Sequence, residues 1–340
     1  MRLSPLWQRR LAVFRAHRRG RLSLSIFACV FVVSMAANFI ANDKPLLMAY
    51  RGQLYIPAVQ FIPETTFGDY LPTEADFTNP TIKAAINAHG WMLWPPIPYS
   101  YDTIVWNAGP MAPAPPSARN WLGTDEVSRD VLARVIYGLR ISILFGFGLT
   151  IAASLIGIIA GAVQGFYGGL TDLLFQRFIE IWSGMPQLFL LIILASIIAP
   201  SFWVLLLFLL LFSWMTLTGV VRAEFLRARN LDYVRAAKAL GVPDWRIMAR
   251  HMLPNAMIAT LTFLPFILSD SVTVLASLDF LGFGMPPGAP SLGELVSEAK
   301  NNLQAPWLAC TAFATLGGIL ILLIFIGEAV RDAFDPRKTQ

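Results

Sequence analysis

The sequence predicts an all-α integral membrane protein with six transmembrane helices and both termini cytoplasmic, and three observations carry that reading. Its 340 residues are 56% hydrophobic and 14% charged, with a mean hydropathy of +0.59, whereas a soluble domain carries roughly 25% charged residues. Six stretches run nearly free of charge for about the 20 residues a helix needs to cross the hydrocarbon. Lys and Arg gather on alternate connecting segments, as short cytoplasmic loops require. Composition excludes a disordered, collagenous or disulfide-stapled chain. Its only cysteines, Cys29 and Cys310, fall in apolar runs far apart in the chain.

Residues 1–21 form a basic cytoplasmic segment with seven arginines and no acid. The first span is residues 22–41. A secretory signal also begins with a basic segment, and Ser34-Met35-Ala36 weakly suggests a cleavage site. The apolar run exceeds the roughly 7–15 residues of a signal peptide, which favours an uncleaved anchor. Residues 42–140 make a long outer loop rich in Pro, Trp and Tyr. Pro95, Pro96, Pro98, Pro110, Pro113, Pro115 and Pro116 predict extended, irregular backbone there. Within it, Asp125 to Arg140 reads as an interfacial amphipathic helix capped by Thr124 or Asp125. The remaining spans are residues 141–163, 181–199, 202–221, 257–278 and 307–327, a five-helix core over 141–327. Residues 222–256 form an inner loop and 328–340 an inner tail. In this arrangement 18 of the 26 basic residues face the cytoplasm, which reflects topology and anionic lipid at the inner surface. No nucleic-acid motif competes with that explanation.

The inner loop holds the sharpest pattern. Asp232 is a candidate N-cap, and Gly241 followed by Pro243 is a helix stop that calls for positive φ. A short helix therefore runs from Asp232 to Gly241. Asp244 then caps a second helix through Met252, and Pro254 marks entry to the fifth span. The result is a rigid cytoplasmic knob on which Ala236 and Ala237 leave a bare surface for another protein's backbone.

The motif Ala236-Ala237-x-x-x-Gly241, followed by Arg250-His251-x-Leu253-Pro254-Asn255, resembles the coupling loop of ABC importer permeases. Arg235 stands where the general pattern has Glu, as it often does in the dipeptide and oligopeptide branch. Leu122-Gly123-Thr124-Asp125, Arg129-Asp130, Tyr137-Gly138 and Asp279-Phe280-Leu281-Gly282-Phe283-Gly284 match that branch too. Ala41 to Leu47 and the ending Gly327 to Pro336 are similar to the Yej-type permeases. Those are associated with uptake of peptides and of the peptide-nucleotide antibiotic microcin C. The resemblance implies a type I importer permease fold in a bacterial inner membrane. It further implies a homologous second permease, ABC ATPase subunits carrying the ATP and Mg, and a periplasmic solute-binding protein. The coupling residues it implies are Asp232, Tyr233, Arg235, Ala236, Ala237, Leu240, Gly241, Arg250, His251, Leu253 and Pro254. Peptide specificity rests on the resemblance alone.

The chain has no phosphate-cradling Gly-x-x-x-x-Gly-Lys-[Ser/Thr] loop, so it is expected to be no enzyme and to hold no cofactor. Its scattered His17, His89 and His251 predict no metal site, and His251 reads as a structural hydrogen-bonding residue. Gly157, Gly161 and Gly165 share one helix face, either for close packing or as a wall of the solute path. Pro186 and Pro265 predict kinks within their spans. Asp270, midway through the fifth span, either lines a translocation path or hydrogen-bonds to Ser269, Thr273 or another helix. Two other classes are weighed against the importer subunit. A self-sufficient secondary transporter would show inverted repeats or more intramembrane charge. A membrane scaffold would work through its outer loop.

Overall fold

A computed structural model describes residues 5–68, 70, 72–106 and 111–335. Pro110, Pro336 and the ends of the 1–21 and 328–340 segments named above lie outside them. The described chain is mostly helical. It begins with α1 (Pro5–Ala16) and α2 (Arg18–Met35). Ala36 then makes a turn before α3 (Ala37–Ile40), so residues 22–41 do not form one uninterrupted helix.

The outer loop is more ordered than its prolines suggest. Strands β1 (Leu47–Tyr50) and β2 (Gln53–Tyr55) form a hairpin. Its tip, Arg51-Gly52, has φ of 48° and 79°, the paired left-handed conformation that matches strand twist. Helix α4 (Pro80–His89) starts with Pro at its first position, and Asn79 Oδ1 accepts the Thr81 N–H at 2.9 Å. β3 (Gly90–Leu93) then pairs antiparallel with β1, giving the order β2-β1-β3. Met48, Ile62, Phe77, Ile82 and Ile86 bury a small core against this sheet.

Four longer elements follow. Helix α5 (Val131–Tyr167) is one 37-residue helix, which corrects both the proposed 125–140 helix and its cap. Ser128 has φ of 63°, a left-handed conformation that no helix continues through. Asp125 Oδ1 instead accepts N–H groups of Val127 and Arg129 within a turn. Asp130 Oδ1 takes the Ala133 N–H at 2.8 Å and caps the helix. Next, α6 (Gly169–Ser183) and α7 (Gln187–Ile197) meet at 73° across Gly184-Met185-Pro186. The predicted span 181–199 is therefore a broken element starting earlier in the chain. Helix α8 (Phe202–Ala228) extends past the predicted 202–221.

After α8 come α9 (Asp232–Ala239) and α10 (Asp244–Arg246). A wide turn over Ile247–Met252 leads directly into α11 (Leu253–Phe280). The sequence reading ended a separate helix near Pro254, but the chain is helical from Asp244 to Phe280. The wide turn just ahead of Pro254 accommodates its missing N–H. Pro265 is tolerated inside α11. Helix α12 (Leu292–Asn301) is capped by Ser291, and α13 (Pro306–Phe334) completes the described chain. By length and composition, α5, α8, Asp244–Phe280 and α13 are apolar enough to cross a membrane, as is the bent α6–α7 pair if it counts as one span.

The chain divides into two compact units. One contains the described residues through Ala28, Ser142–Pro286 and those from Gly317 onward. The other contains Cys29–Ile141 and Pro287–Leu316. In the first, α5 and α8 approach at backbone distance along the glycine face. A Cβ at Gly157 would stand 2.7 Å from Trp214 O, at Gly161 2.6 Å from Thr218 O, and at Gly165 2.7 Å from Arg222 O. α8 therefore fills the face that was also considered as a wall of the solute path.

Candidate coupling site

The knob is built by the 3.6-residue period of α9. Val234 and Ala237, three apart, are both buried. They pack with Phe166, Val221, Phe225, Ile247 and Met252. Asp232 is the first residue of the helix rather than its cap, because Leu231 holds the cap position without a side-chain hydrogen bond. Its carboxylate still suits the positive end of the helix dipole. Gly241 has the expected positive φ, 73°, and its N–H reaches Lys238 O at 3.0 Å. Val242 N–H bonds Ala237 O at 3.1 Å, so the last carbonyls of the helix are satisfied as the chain turns.

The period also corrects the bare Ala236-Ala237 surface. Ala237 faces the protein's own core, and Ala236 is exposed beside Asp232, Tyr233, Arg235 and Leu240. Leu240 is 83% exposed and Trp245 65%, which makes a protruding apolar tip. Arg250 and Pro254 are exposed, while His251 and Leu253 are half-buried. The His251 side chain has no hydrogen-bond or ion-pair partner among the described residues. Asn255 Nδ2 lies 3.5 Å from the Tyr233 hydroxyl oxygen. Beside the knob opens a cavity of about 830 Å³ whose walls include Arg10, Arg227, Tyr233, Asn255, Arg331 and Phe334. Sequence gave no sign of it, since it joins segments more than 200 residues apart.

Asp270 is exposed on α11 and has no hydrogen bond or ion pair among the described residues. Thr273 Oγ1 donates to Ser269 O at 2.9 Å instead. The local hydrogen-bond explanation for Asp270 therefore does not hold. Arg177 and Glu180 form an i,i+3 ion pair at 2.5 Å, largely exposed.

A buried ion cluster in the second unit escaped the sequence reading. Arg134, fully buried, donates to Asp125 Oδ2 at 2.6 Å, to Glu298 Oε1 at 2.5 Å and to Glu294 Oε2 at 2.7 Å. Arg129 Nε bonds Asp125 Oδ2 at 2.6 Å. The i,i+4 spacing of Glu294 and Glu298 was visible in the sequence; their pairing with residues some 160 positions earlier was not.

Long apolar helices bearing an exposed helical knob define a multi-pass membrane protein. The model of one family, described as binding-protein-dependent transport system inner membrane component, matches residues 153–340, and the chain belongs to that family. It is thus a permease subunit of an ABC importer in the inner membrane, and membership implies a solute-binding protein and an ATPase as partners. The chain is 58% identical over 337 residues to the inner membrane ABC transporter permease protein YejE of Escherichia coli, covering 99% of each. To the peptidoglycan transport system permease protein YejE of Agrobacterium fabrum it is 57% identical over 360 residues, covering 99% of this chain and 94% of that one. The dipeptide transport system permease protein DppC of Haemophilus influenzae is 34% identical over 220 residues, 64% of this chain and 75% of that one.

Proposed function

We propose that this permease imports peptides or peptide-like compounds, the microcin C class and peptidoglycan-derived peptides among them, through a pathway shared with a homologous second permease. A periplasmic binding protein delivers the solute. Separate ATPase subunits, which carry the ATP and Mg, drive alternating access by pushing on the knob at Asp232–Gly241. The chain itself is no enzyme. The observation that carries this reading is the knob's geometry: Val234 and Ala237 anchor it to the core while Tyr233, Arg235, Ala236 and Leu240 face outward. Of the other proposed coupling residues, Arg250 and Pro254 are exposed and His251 and Leu253 are half-buried at the start of α11 and the wide turn ahead of it. The substrate class follows the relatives that belong to dipeptide and peptidoglycan transport systems.

Two sets of contacts support six crossings with both termini in the cytoplasm. Arg134 and Glu298 are bonded, so an even number of crossings separates them. α5, α8 and α11 supply three, and the broken α6–α7 pair supplies the fourth. The ring of Trp7 meets that of Phe334 with centroids 5.7 Å apart. Tyr137 Oη donates to Ala41 O at 2.9 Å, and Trp307 Nε1 to Thr124 O at 3.3 Å. Trp307 and Phe334 are at opposite ends of α13, which supports the reading that the chain between Trp7 and Ala41 makes one further crossing, for which α2 is the proposed span. The distribution of Lys and Arg supports placing the termini inside.

The test is a mild-detergent pull-down of the tagged chain from its native membrane, with co-purifying proteins identified and ATP hydrolysis and peptide uptake measured. An ATPase and a second permease are expected, with coupling lost in Ala236→Glu at unchanged thermal stability. A chain that purifies alone under several detergents, or an Ala236→Glu variant that transports normally, overturns the assignment.

A further inference from the structure

The ion cluster around Arg134 joins three carboxylates, Asp125, Glu294 and Glu298, to two guanidiniums, Arg129 and Arg134. One negative charge is left over in a place that water barely reaches. Arg134 and Asp125 are fully buried and Glu298 is 4% exposed. A buried charge without compensation is costly, and a group that can neutralise itself does so. The leftover charge also has an address. Glu298 Oε1 receives both arginines, at 2.5 Å and 3.2 Å, while its Oε2 is buried and receives no hydrogen bond from the described residues. Two further acids on the Asp125–Arg134 segment are hydrogen-bonded elsewhere. Asp130 accepts from Asn120 Nδ2 and Ala133 N–H, and Glu126 accepts from Asn302 Nδ2. Lys300 is exposed at the end of α12.

We propose that this cluster is a proton-binding site, occupied on Glu298 Oε2, which fastens the Asp125–Arg134 segment to α12 when protonated and loosens it when the proton leaves. Burial first, then repulsion from Asp125 and Glu294 against the pull of Arg134, pushes the Glu298 carboxyl up to about 7 from its ordinary 4.5. The proton belongs to the cluster as a whole, as in any strongly interacting set. Glu294, whose side chain is 29% exposed and bonded to Arg134, connects it to solvent. A carboxyl whose pKa is higher folded than unfolded contributes stability that is complete below about 4.5 and is lost as pH rises through about 7. On the topology proposed above, the compartment sensed is the periplasm; the proton site itself does not depend on that reading.

The experiment uses the purified full chain and two readouts. Infrared difference spectra between about pH 5.5 and pH 8 are expected to show the carbonyl stretch of a protonated carboxyl that disappears in Glu298→Gln. Thermal unfolding of the wild type is expected to lose several degrees over the same interval, with Glu298→Gln losing clearly less. Glu294→Gln, which balances the cluster at two acids and two arginines, is expected to shift the carboxyl signal to lower pH, and this arm stands if Glu298→Gln fails to fold. A carboxyl band that persists in Glu298→Gln, a pH slope equal in wild type and variant, or an unmoved signal in Glu294→Gln overturns the proposal.

Discussion

Arg222 grips Asp172 at two points, Nε to Oδ1 at 2.5 Å and Nη2 to Oδ2 at 2.7 Å, and so clamps α8 to α6 just ahead of the knob. The clamp matters because α8 is the element that leads into α9. Two parallel hydrogen bonds fix direction as well as distance, which a lysine cannot do. Arg222→Lys is expected to fold but to lose about 1–3 kcal/mol of stability, together with part of its uptake. The charge-swapped pair Asp172→Arg with Arg222→Asp is expected to recover more of both than either single change. A double-mutant cycle in thermal unfolding and uptake measures the coupling, and strict additivity refutes the clamp.

The glycine seam between α5 and α8 makes a graded prediction. At Gly161 a Cβ would meet Thr218 O at 2.6 Å and Val221 Cβ at 2.9 Å, so backbone itself must move. Gly161→Ala is expected to lower thermal stability, and Gly161→Leu to lower it further, by the roughly 1–3 kcal/mol typical of overpacking. Gly219, with nothing within 4 Å of its Cβ position, is the control. Gly219→Ala is expected to leave the melting temperature unchanged in the same detergent.

The knob separates folding from coupling at adjacent positions. Ala237 is 7% exposed in the core of the first unit, so Ala237→Glu buries an unpaired carboxylate and is expected to destabilise by several kcal/mol. Ala236→Glu adds the same charge to solvent and is expected to leave unfolding unchanged while uncoupling ATP hydrolysis from uptake. Gly241→Val tests the turn. No atom lies within 4 Å of a Cβ there, so its cost is the φ of 73° alone, of order 1–3 kcal/mol. Melting curves and coupled ATPase assays on the three variants distinguish these effects.

What could be read from the sequence follows how local each determinant is. Gly241 needed positive φ because of the helix stop around it, and the structure has it. The long apolar helices follow from composition over one window. Ala237 was misassigned because the motif presented both alanines together, although Val234 three residues earlier already fixed the buried face. The start of α5 was misplaced because periodicity through Val127 and Val131 is blind to the left-handed backbone at Ser128. The cluster joining Arg134 to Glu298 lay beyond any local rule, since only the folded second unit brings those segments together.

Asp270 carries the last prediction. An ionisable side chain within a span is expensive unless it meets water or a partner, and this one has no partner among the described residues while remaining exposed on α11. Its partner on the proposed reading is the aqueous path or the second permease, so its charge serves transport rather than folding. Asp270→Asn keeps the shape and removes the charge. It is expected to leave α11 and co-purification of the partner subunits intact and to lower uptake by a factor of several, with a greater loss for cationic peptides than for neutral ones. Equal uptake of both classes in Asp270→Asn and wild type would remove the residue from the path. Loss of the second permease from the purified complex would instead make Asp270 an interfacial group, which uptake measured alongside co-purification distinguishes from a path residue.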